Sequence, residues 1–333
     1  MIDAARATSR RSFLKAGLAA AAVPALAGAA PAQTARVAIT LDLEMSRHYP
    51  TWDQTHWDYE KGNLDRDTKR YAVEAARRVK RRGGVIHFFA VGRVLEQEDV
   101  SWLAEIHETG HPVGNHTYDH VNVKATRPEQ VQFRFQRAPW LIEGKTAAQV
   151  IAENVAMTTR ALKQRVGITP AGFRTPGGFN DGLKDRPDVQ KMLADQGFRW
   201  VSSLYPPHPL GKPGERPTEE IFEGIVAAQA QARPFAYPGG LVEVPMNPIS
   251  DVSALRTGRW TLDAFLEAVR RGVTWSIENQ APFDFLAHPS CLVAADPKFQ
   301  VIDTICDLVE RSKGRAILSD LDAIAAGVRP ANG

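Results

Sequence analysis

Gly110-His-Pro-Val-Gly-Asn-His-Thr-Tyr-Asp-His120 is the stretch on which the reading of this chain turns. His116 and His120 stand four residues apart, so one helical turn between them brings both imidazoles to face one ion. The spacing alone is also met in two surface histidines flanking a polar turn. The surrounding pattern decides between the two. Upstream, the apolar run Val37–Leu41 ends in Asp42-Leu-Glu44, and downstream come Arg174-Thr-Pro-Gly-Gly178 and Leu286-Ala-His-Pro289. A carboxylate pair, a histidine pair, an arginine and a lone histidine, each at the end of a predicted strand, are what a metal-assisted hydrolase needs.

Working outward, apolar β-type runs alternate with helical periodicity. Strands are expected at Val37–Leu41, Val85–Val91, Pro112–Asn115, Ala171–Arg174, Phe198–Ser202, Leu241–Val244, Phe283–Ala287 and 315–318. Helices are expected at Asp65–Arg82, Asp99–Thr109, Thr146–Val166, Pro187–Gln196, Thr261–Gln280 and 299–312, with a last one capped by Ser319. Val85–Val91 is apolar throughout, as a strand covered on both faces should be. Repeated strand–helix units over one domain point to a parallel sheet closed, or nearly closed, into a barrel. The candidate residues then fall just after the strands, on the face where such barrels hold their chemistry. Two segments break the repeat. Arg47–Asn63 carries Tyr49, Trp52, Trp57 and Tyr59 and follows the first strand; its aromatics either stack on sugar rings or tuck inward beneath a lid. Tyr205–Gly240 reads as a long functional loop with one helix around Glu219–Gln231.

The motifs and their order resemble the polysaccharide deacetylase family, the hydrolases with the rhizobial nodulation-deacetylase domain. Thr40-Leu-Asp-Leu-Glu44 stands where the family carries Thr-Phe-Asp-Asp-Gly, and Gly84-Val-Ile-His-Phe-Phe-Ala-Val-Gly92 is similar to its second strand. Gly110–His120 is close to its metal motif, Arg174–Gly178 to its arginine motif, and His288 to its late histidine. The resemblance implies an irregular (β/α)7 barrel, a single domain over residues 33–330, and one divalent ion, zinc above all. It makes His116 and His120 metal ligands. In the family's adjacent acidic pair the first residue is the base and the second a ligand. Here the second place holds Leu43, which cannot bind an ion, so the role passes to Glu44, with Asp42 as base. Side chains two apart on an extended strand share a face. Arg174 is expected to hold Asp42 ionised, His288 to protonate the leaving amine, and Gly178, Trp52 and Trp57 to contact substrate. The carboxylate that usually orients the late histidine is missing from Trp200-Val-Ser-Ser203, leaving Ser202, Ser203 or Asp284 for that task.

The N-terminus carries a second signal. Ser9-Arg-Arg-Ser-Phe-Leu-Lys15 precedes an Ala-rich apolar run and the small residues Ala30-Pro-Ala32. A basic region, a short apolar region and an Ala-x-Ala site describe an export signal over residues 1–32. The paired arginines resemble a twin-arginine signal, and an ordinary secretory signal is the alternative. The expected location is therefore periplasmic or extracellular, with the twin-arginine machinery as a partner. Residues 1–32 hold Arg6, Arg10, Arg11, Lys15 and Asp3, so the formal net charge of +3 falls to zero without them. No basic block large enough for nucleic acid remains; Arg77–Arg82 closes a helix, where cations suit the carbonyl end. No second apolar run long enough to span a membrane follows. The two cysteines, Cys291 and Cys306, are too few for a disulfide scaffold, and buried thiols are expected. The functional expectation is removal of N-acetyl groups from an acetylated polysaccharide or cell-wall glycan. The alternatives are hydrolysis of a non-sugar C–N amide and non-catalytic glycan binding.

Overall fold

The computed structural model describes residues 34–46 and 61–328. The expected export segment, Trp52 and Trp57 lie outside them.

The sheet is built on β1 (Ala35–Leu43), which is buried at eight of its nine positions. It pairs in parallel with β2 (Ile86–Ala90) on one side and β8 (Phe283–Ala287) on the other. β9 (Ala316–Ser319) pairs with its first half. From β2 the parallel path continues through β3 (Val113–Asn115), β4 (Gly172–Phe179) and β5 (Trp200–Leu204) to β7 (Val242–Glu243). The short β6 (Phe235–Ala236) is antiparallel to β7 and forms the outer edge. The sheet curls as an α/β barrel of the expected irregular (β/α)7 type. No strand pairing joins β7 to β8 among the described residues, and Asn247 closes the gap. Its backbone N–H donates to Asp284 O at 2.9 Å, and its Oδ1 accepts from Leu286 N at 3.1 Å.

The helices pack outside this sheet: α1 (Arg66–Arg81), α2 (Ser101–Glu108), the short α3 (Phe133–Arg137), α4 (Ala147–Val166), α5 (Pro187–Asp195), α6 (Glu219–Gln229), α7 (Leu262–Glu278), α8 (Pro289–Ala295), α9 (Gln300–Arg311) and α10 (Leu321–Ala326). Local chemistry sets their starts. Thr146 and Gln149 form a reciprocal capping box at α4, and Thr261 accepts from Ala264 N at α7. Asp320, not Ser319, caps α10, its carboxylate accepting from Ala323 N at 2.7 Å; a carboxylate one residue later reaches the free N–H better and suits the helix dipole. Sequence periodicity missed α3, α8 and a π-helical turn at Val252–Thr257, because segments this short show no repeat.

The basic run at the end of α1 is spent on neutral pairing. Arg77 meets Glu105, Arg78 meets Asp303, Arg81 meets Glu74, and Arg82 meets Asp307 and Glu310. Both cysteines are free and buried. Among the described residues no helix is long and apolar enough to cross a membrane. In the barrel, Gly172 lies flat against Trp200, where a Cβ would sit 1.9 Å from the indole. Only glycine lets β4 approach so closely.

Candidate active site

β1 ends at Leu43, and the chain then bends, Glu44 N donating back to Asp42 O at 3.0 Å. Leu43 is fully buried in the core, whereas Asp42 and Glu44 line one cavity of about 280 Å³. The bend, rather than a continued extended strand, turns Glu44 inward. Ser290, at the start of α8, clamps it: its hydroxyl donates to Glu44 O at 2.8 Å and accepts from Ser46 N at 2.9 Å.

β3 delivers the histidine pair. The loop after it is strained, with Thr117 at φ 59° and His120 at φ 56°, both in the left-handed region. Asn115 Oδ1 accepts from Thr117 N at 2.8 Å and Thr117 Oγ1 accepts from Val121 N at 2.9 Å. These bonds turn both imidazoles toward β1. His116 Nδ1 lies 2.9 Å from Arg174 O. A carbonyl only accepts, so Nδ1 carries a proton, and Nε2 is the ring atom turned toward Asp42 and Glu44. His116 Nε2 is 3.5 Å and His120 Nε2 2.6 Å from Glu44 Oε2.

Glu44 Oε2 is buried and has no hydrogen bond of good geometry. The two Nε2 atoms and a Glu44 oxygen all lie within 4.8 Å of one another. Two imidazoles and a carboxylate oxygen facing one point are a donor set suited to a divalent ion. Electrostatics agree. Burial opposes ionisation of Glu44, but its close contacts with His120, Lys61 and His116 hold its carboxyl well below the usual range. Burial pushes His120 down to about 3, with Lys61 and His116 acting the same way, so its imidazole is neutral at pH 7.

Asp42 lies beside this group, with Oδ2 3.7 Å from His116 Nε2 and 4.0 Å from His288 Nε2. Arg174, fully buried on β4, donates to Thr40 Oγ1 at 2.8 Å, to Asp42 Oδ1 at 3.5 Å and to Asp284 Oδ2 at 2.5 Å. Its guanidinium also stacks 4.4 Å over the Phe89 ring. Its tighter partner is thus Asp284, and Asp42 takes the longer contact. Burial, with the nearby charge of Asp42, raises the Asp284 carboxyl to about 6 against the pull of Arg174 and Thr40.

His288 sits on the far wall, before α8. Its Nδ1 is 2.9 Å from Asp251 Oδ1, and its backbone N donates to Asp251 Oδ2 at 2.7 Å. Asp251 is therefore what orients it. The three groups expected for that task are engaged elsewhere: Asp284 with Arg174, Ser203 with Glu243 at 2.6 Å, and Ser202 in the barrel interior with its buried hydroxyl unbonded. Burial pulls His288 down, but the carboxylates of Asp251, Glu44 and Asp42 outweigh it and raise its pKa. Sequence reading passed over Asp251 because it caps a π-helical turn and has no strand run of its own. The available signal was its place as the next carboxylate after the Leu241–Val244 strand.

Lys61 was also missed. It is 2% exposed, contacts Glu44 Oε1, and lies 3.0 Å from Ser46 Oγ, which itself donates to Glu44 Oε1. Gly178 lines the cavity, and a Cβ there would meet Tyr205 Cβ at 2.4 Å. Its lack of a side chain thus serves packing on Tyr205 as well as access.

Residues 59–199 match the family model for polysaccharide deacetylase. No curated protein matches the chain. Among solved structures, a protein described as a polysaccharide deacetylase from Mycobacterium smegmatis is 15% identical, with a TM-score of 0.56 and coverage of 92% of this chain and 96% of that one. A second so described, from Pseudomonas aeruginosa PAO1, is 12% identical with a TM-score of 0.57, covering 89% of this chain and 91% of its own. The Puue allantoinase has the same identity, TM-score and coverage. The matched segment holds the histidine pair and Arg174 but neither Asp42 and Glu44 nor Asp251 and His288, which the fold brings to it. Residues 59–199 therefore carry a match to the polysaccharide deacetylase family, within a barrel whose fold proteins described as such deacetylases share over most of this chain.

Proposed function

We propose that this chain is an exported, metal-dependent deacetylase of the polysaccharide deacetylase family, removing N-acetyl groups from a polysaccharide or cell-wall glycan. The observation that carries the reading is the convergence of Glu44, His116 and His120 with Asp42 and His288 on one cavity. Glu44, His116 and His120 would hold the ion, with zinc the best fit to a set of two imidazoles and one carboxylate. When bound, such an ion acidifies water and polarises a carbonyl. Asp42 accepts the proton of the attacking water, and Arg174 holds its carboxylate in place. His288, oriented through Nδ1 by Asp251, presents Nε2 to protonate the leaving nitrogen.

A neighbouring cavity of about 730 Å³ supports an extended substrate. It shares His120 and Gly177 with the site and is lined by the amides of Asn122, Gln130, Gln132 and Gln136, with Phe133, one cation, Lys124, and no carboxylate. Four amides beside an aromatic ring, with the Lys124 ammonium paired to Asp185, suit a hydroxyl-rich chain. The shared fold of the Puue allantoinase favours a second reading, a hydrolase of a non-sugar C–N amide. Aromatic contacts from Trp52 and Trp57, export through the twin-arginine route, and the division into residues 1–32 and 33–330 belong to the same proposal.

The test is an acetate-release assay on acetylated glycan oligomers with parallel metal analysis. We expect about one zinc per chain and acetate release. Glu44→Ala should lose both metal and turnover, while Asp42→Asn should keep the metal and lose roughly a hundredfold in rate, the scale of removing a positioned base. Turnover only on small amides selects the second reading. Bound metal with no turnover on either class leaves a glycan-binding protein, and Glu44→Ala at full occupancy removes Glu44 from the ligand set.

A further inference from the structure

Glu44 offers its two carboxylate oxygens to different partners. Oε2 faces His116 and His120. Oε1 is taken by the Lys61 ammonium and the Ser46 hydroxyl, which also contact each other at 3.0 Å. Lys61 is held there from its backbone as well, since its carbonyl accepts from Met45 N at 3.0 Å. A second cation braces the same turn: Arg256, from the π-helical turn, donates to Ser46 O at 2.8 Å. Lys61 takes no proton in the transfers proposed above, yet its amino group, 2% exposed, sits on the carboxylate of the proposed ligand set, on the same oxygen that lies 3.6 Å from His288 Nε2.

We propose that Lys61 is a built-in counter-cation of the three-ligand centre: it holds Glu44 to a single free oxygen and weakens the centre's affinity for a divalent ion. This rests on the metal reading of Glu44, His116 and His120. Two effects of opposite sign compete. Orientation of a ligand by a neighbouring group favours binding, and its loss costs roughly 10- to 100-fold in affinity. A like charge held on the same carboxylate, shielded from water, opposes a doubly charged ion, and interactions between charges this close grow steeply as the effective dielectric falls. Ser46 remains to orient Oε1 when Lys61 is removed, so the charge effect wins. Without a bound ion, Lys61 neutralises a buried carboxylate that would otherwise be costly to the fold.

The experiment is zinc binding by competition with a chromogenic chelator, and cobalt(II) absorption, on the full chain and on Lys61→Met, Lys61→Gln and Lys61→Arg. Lys61→Gln keeps a donor to Oε1 without charge, and so separates charge from hydrogen bonding if Lys61→Met folds poorly. Lys61→Met and Lys61→Gln are expected to bind zinc about tenfold or more tightly than the parent, and Lys61→Arg to match it. The cobalt(II) spectrum of Lys61→Met should shift toward higher coordination as Oε1 becomes free, and that of Lys61→Gln should shift less. Zinc should also raise the melting temperature of Lys61→Met more than that of the parent. Unchanged or weaker zinc binding in both neutral variants, beside a parent that binds zinc, overturns the inference alone. A parent that binds no divalent ion overturns it together with the metal reading.

Discussion

Leu43 and Glu44 show how a single residue's shift is absorbed. The family resemblance places a ligand where Leu43 stands, but Leu43 is a core side chain, fully buried. The next residue can take the proposed role because the chain bends after β1 and because glutamate is longer than aspartate by one methylene. Asp251 is the other decision made at this scale. Its two oxygens grip the ring and the backbone N–H of His288 together, which sets the tautomer as well as the direction of the ring. It also raises the pKa of His288 against the effect of burial. Asp251→Asn should therefore lower that pKa. The proton-donating form is then lost at lower pH, and the alkaline limb of the pH–rate profile should move toward acid. Rate at pH 7 should fall by roughly tenfold to a hundredfold, with zinc occupancy unchanged. Rate measurements across pH decide it: an unmoved alkaline limb would mean that His288 is not the acid or that Asp251 does not set its pKa.

Among the elements, the loop from β3 to α3 does most to position the ligands. A non-glycine residue at φ 56° is held there only by its surroundings, and His120 is held by an amide. Gln132 donates through Nε2 to Asp119 O at 2.7 Å and to His120 O at 2.8 Å. Asn154 on α4 secures the same turn by accepting from Asp119 N at 2.8 Å. Gln132→Met keeps the volume but leaves two carbonyls without their donor. The loop should relax, and zinc affinity should fall roughly tenfold or more, in the range seen when groups supporting a ligand are lost. Calorimetry with zinc, beside circular dichroism to show an intact fold, would check this; wild-type affinity in Gln132→Met would show that the loop holds itself. The histidine spacing was readable in the sequence, but its first reading, one helical turn, was not the conformation adopted. The loop reaches the same convergence through two left-handed residues, Thr117 held locally by Asn115 and His120 held by Gln132 twelve positions away, while Asn154 anchors the Asp119 between them.

For the whole molecule, the barrel joins groups from Asp42 to His288 on one face, and Asn247 ties the last strand to the open edge of the sheet. The proposed export signal is tested on the intact precursor. Arg10→Lys with Arg11→Lys keeps the charge and removes the paired guanidinium groups. Fractionation should then find the precursor in the cytoplasm, and normal export of that variant would point to an ordinary secretory signal. The order of strands and helices, the helix caps at Thr146 and Thr261, and the succession of acidic, histidine, arginine and histidine motifs were legible in the chain itself, because periodicity, capping and motif spacing are local properties. Ser319 yielded its capping role to Asp320 within the reach of one residue, a margin that local rules do not resolve. Lys61 and Asp251 were not legible. Each lies in a segment without periodicity, and each acquires its role only by meeting a residue far away: Lys61 meets Glu44 across a 17-residue separation and Asp251 meets His288 across 37. Arg174 was read from the sequence as the partner of Asp42; it does reach Asp42, at 3.5 Å, but its closer partner is Asp284, which depends on how β4 and β8 face each other across the barrel. Local sequence thus determined which groups are available at the strand ends. Which of them are paired, and which are left facing the shared cavity, was decided by the closure of the sheet, since hydrogen bonds and charges act over a few ångströms in space whatever their distance along the chain.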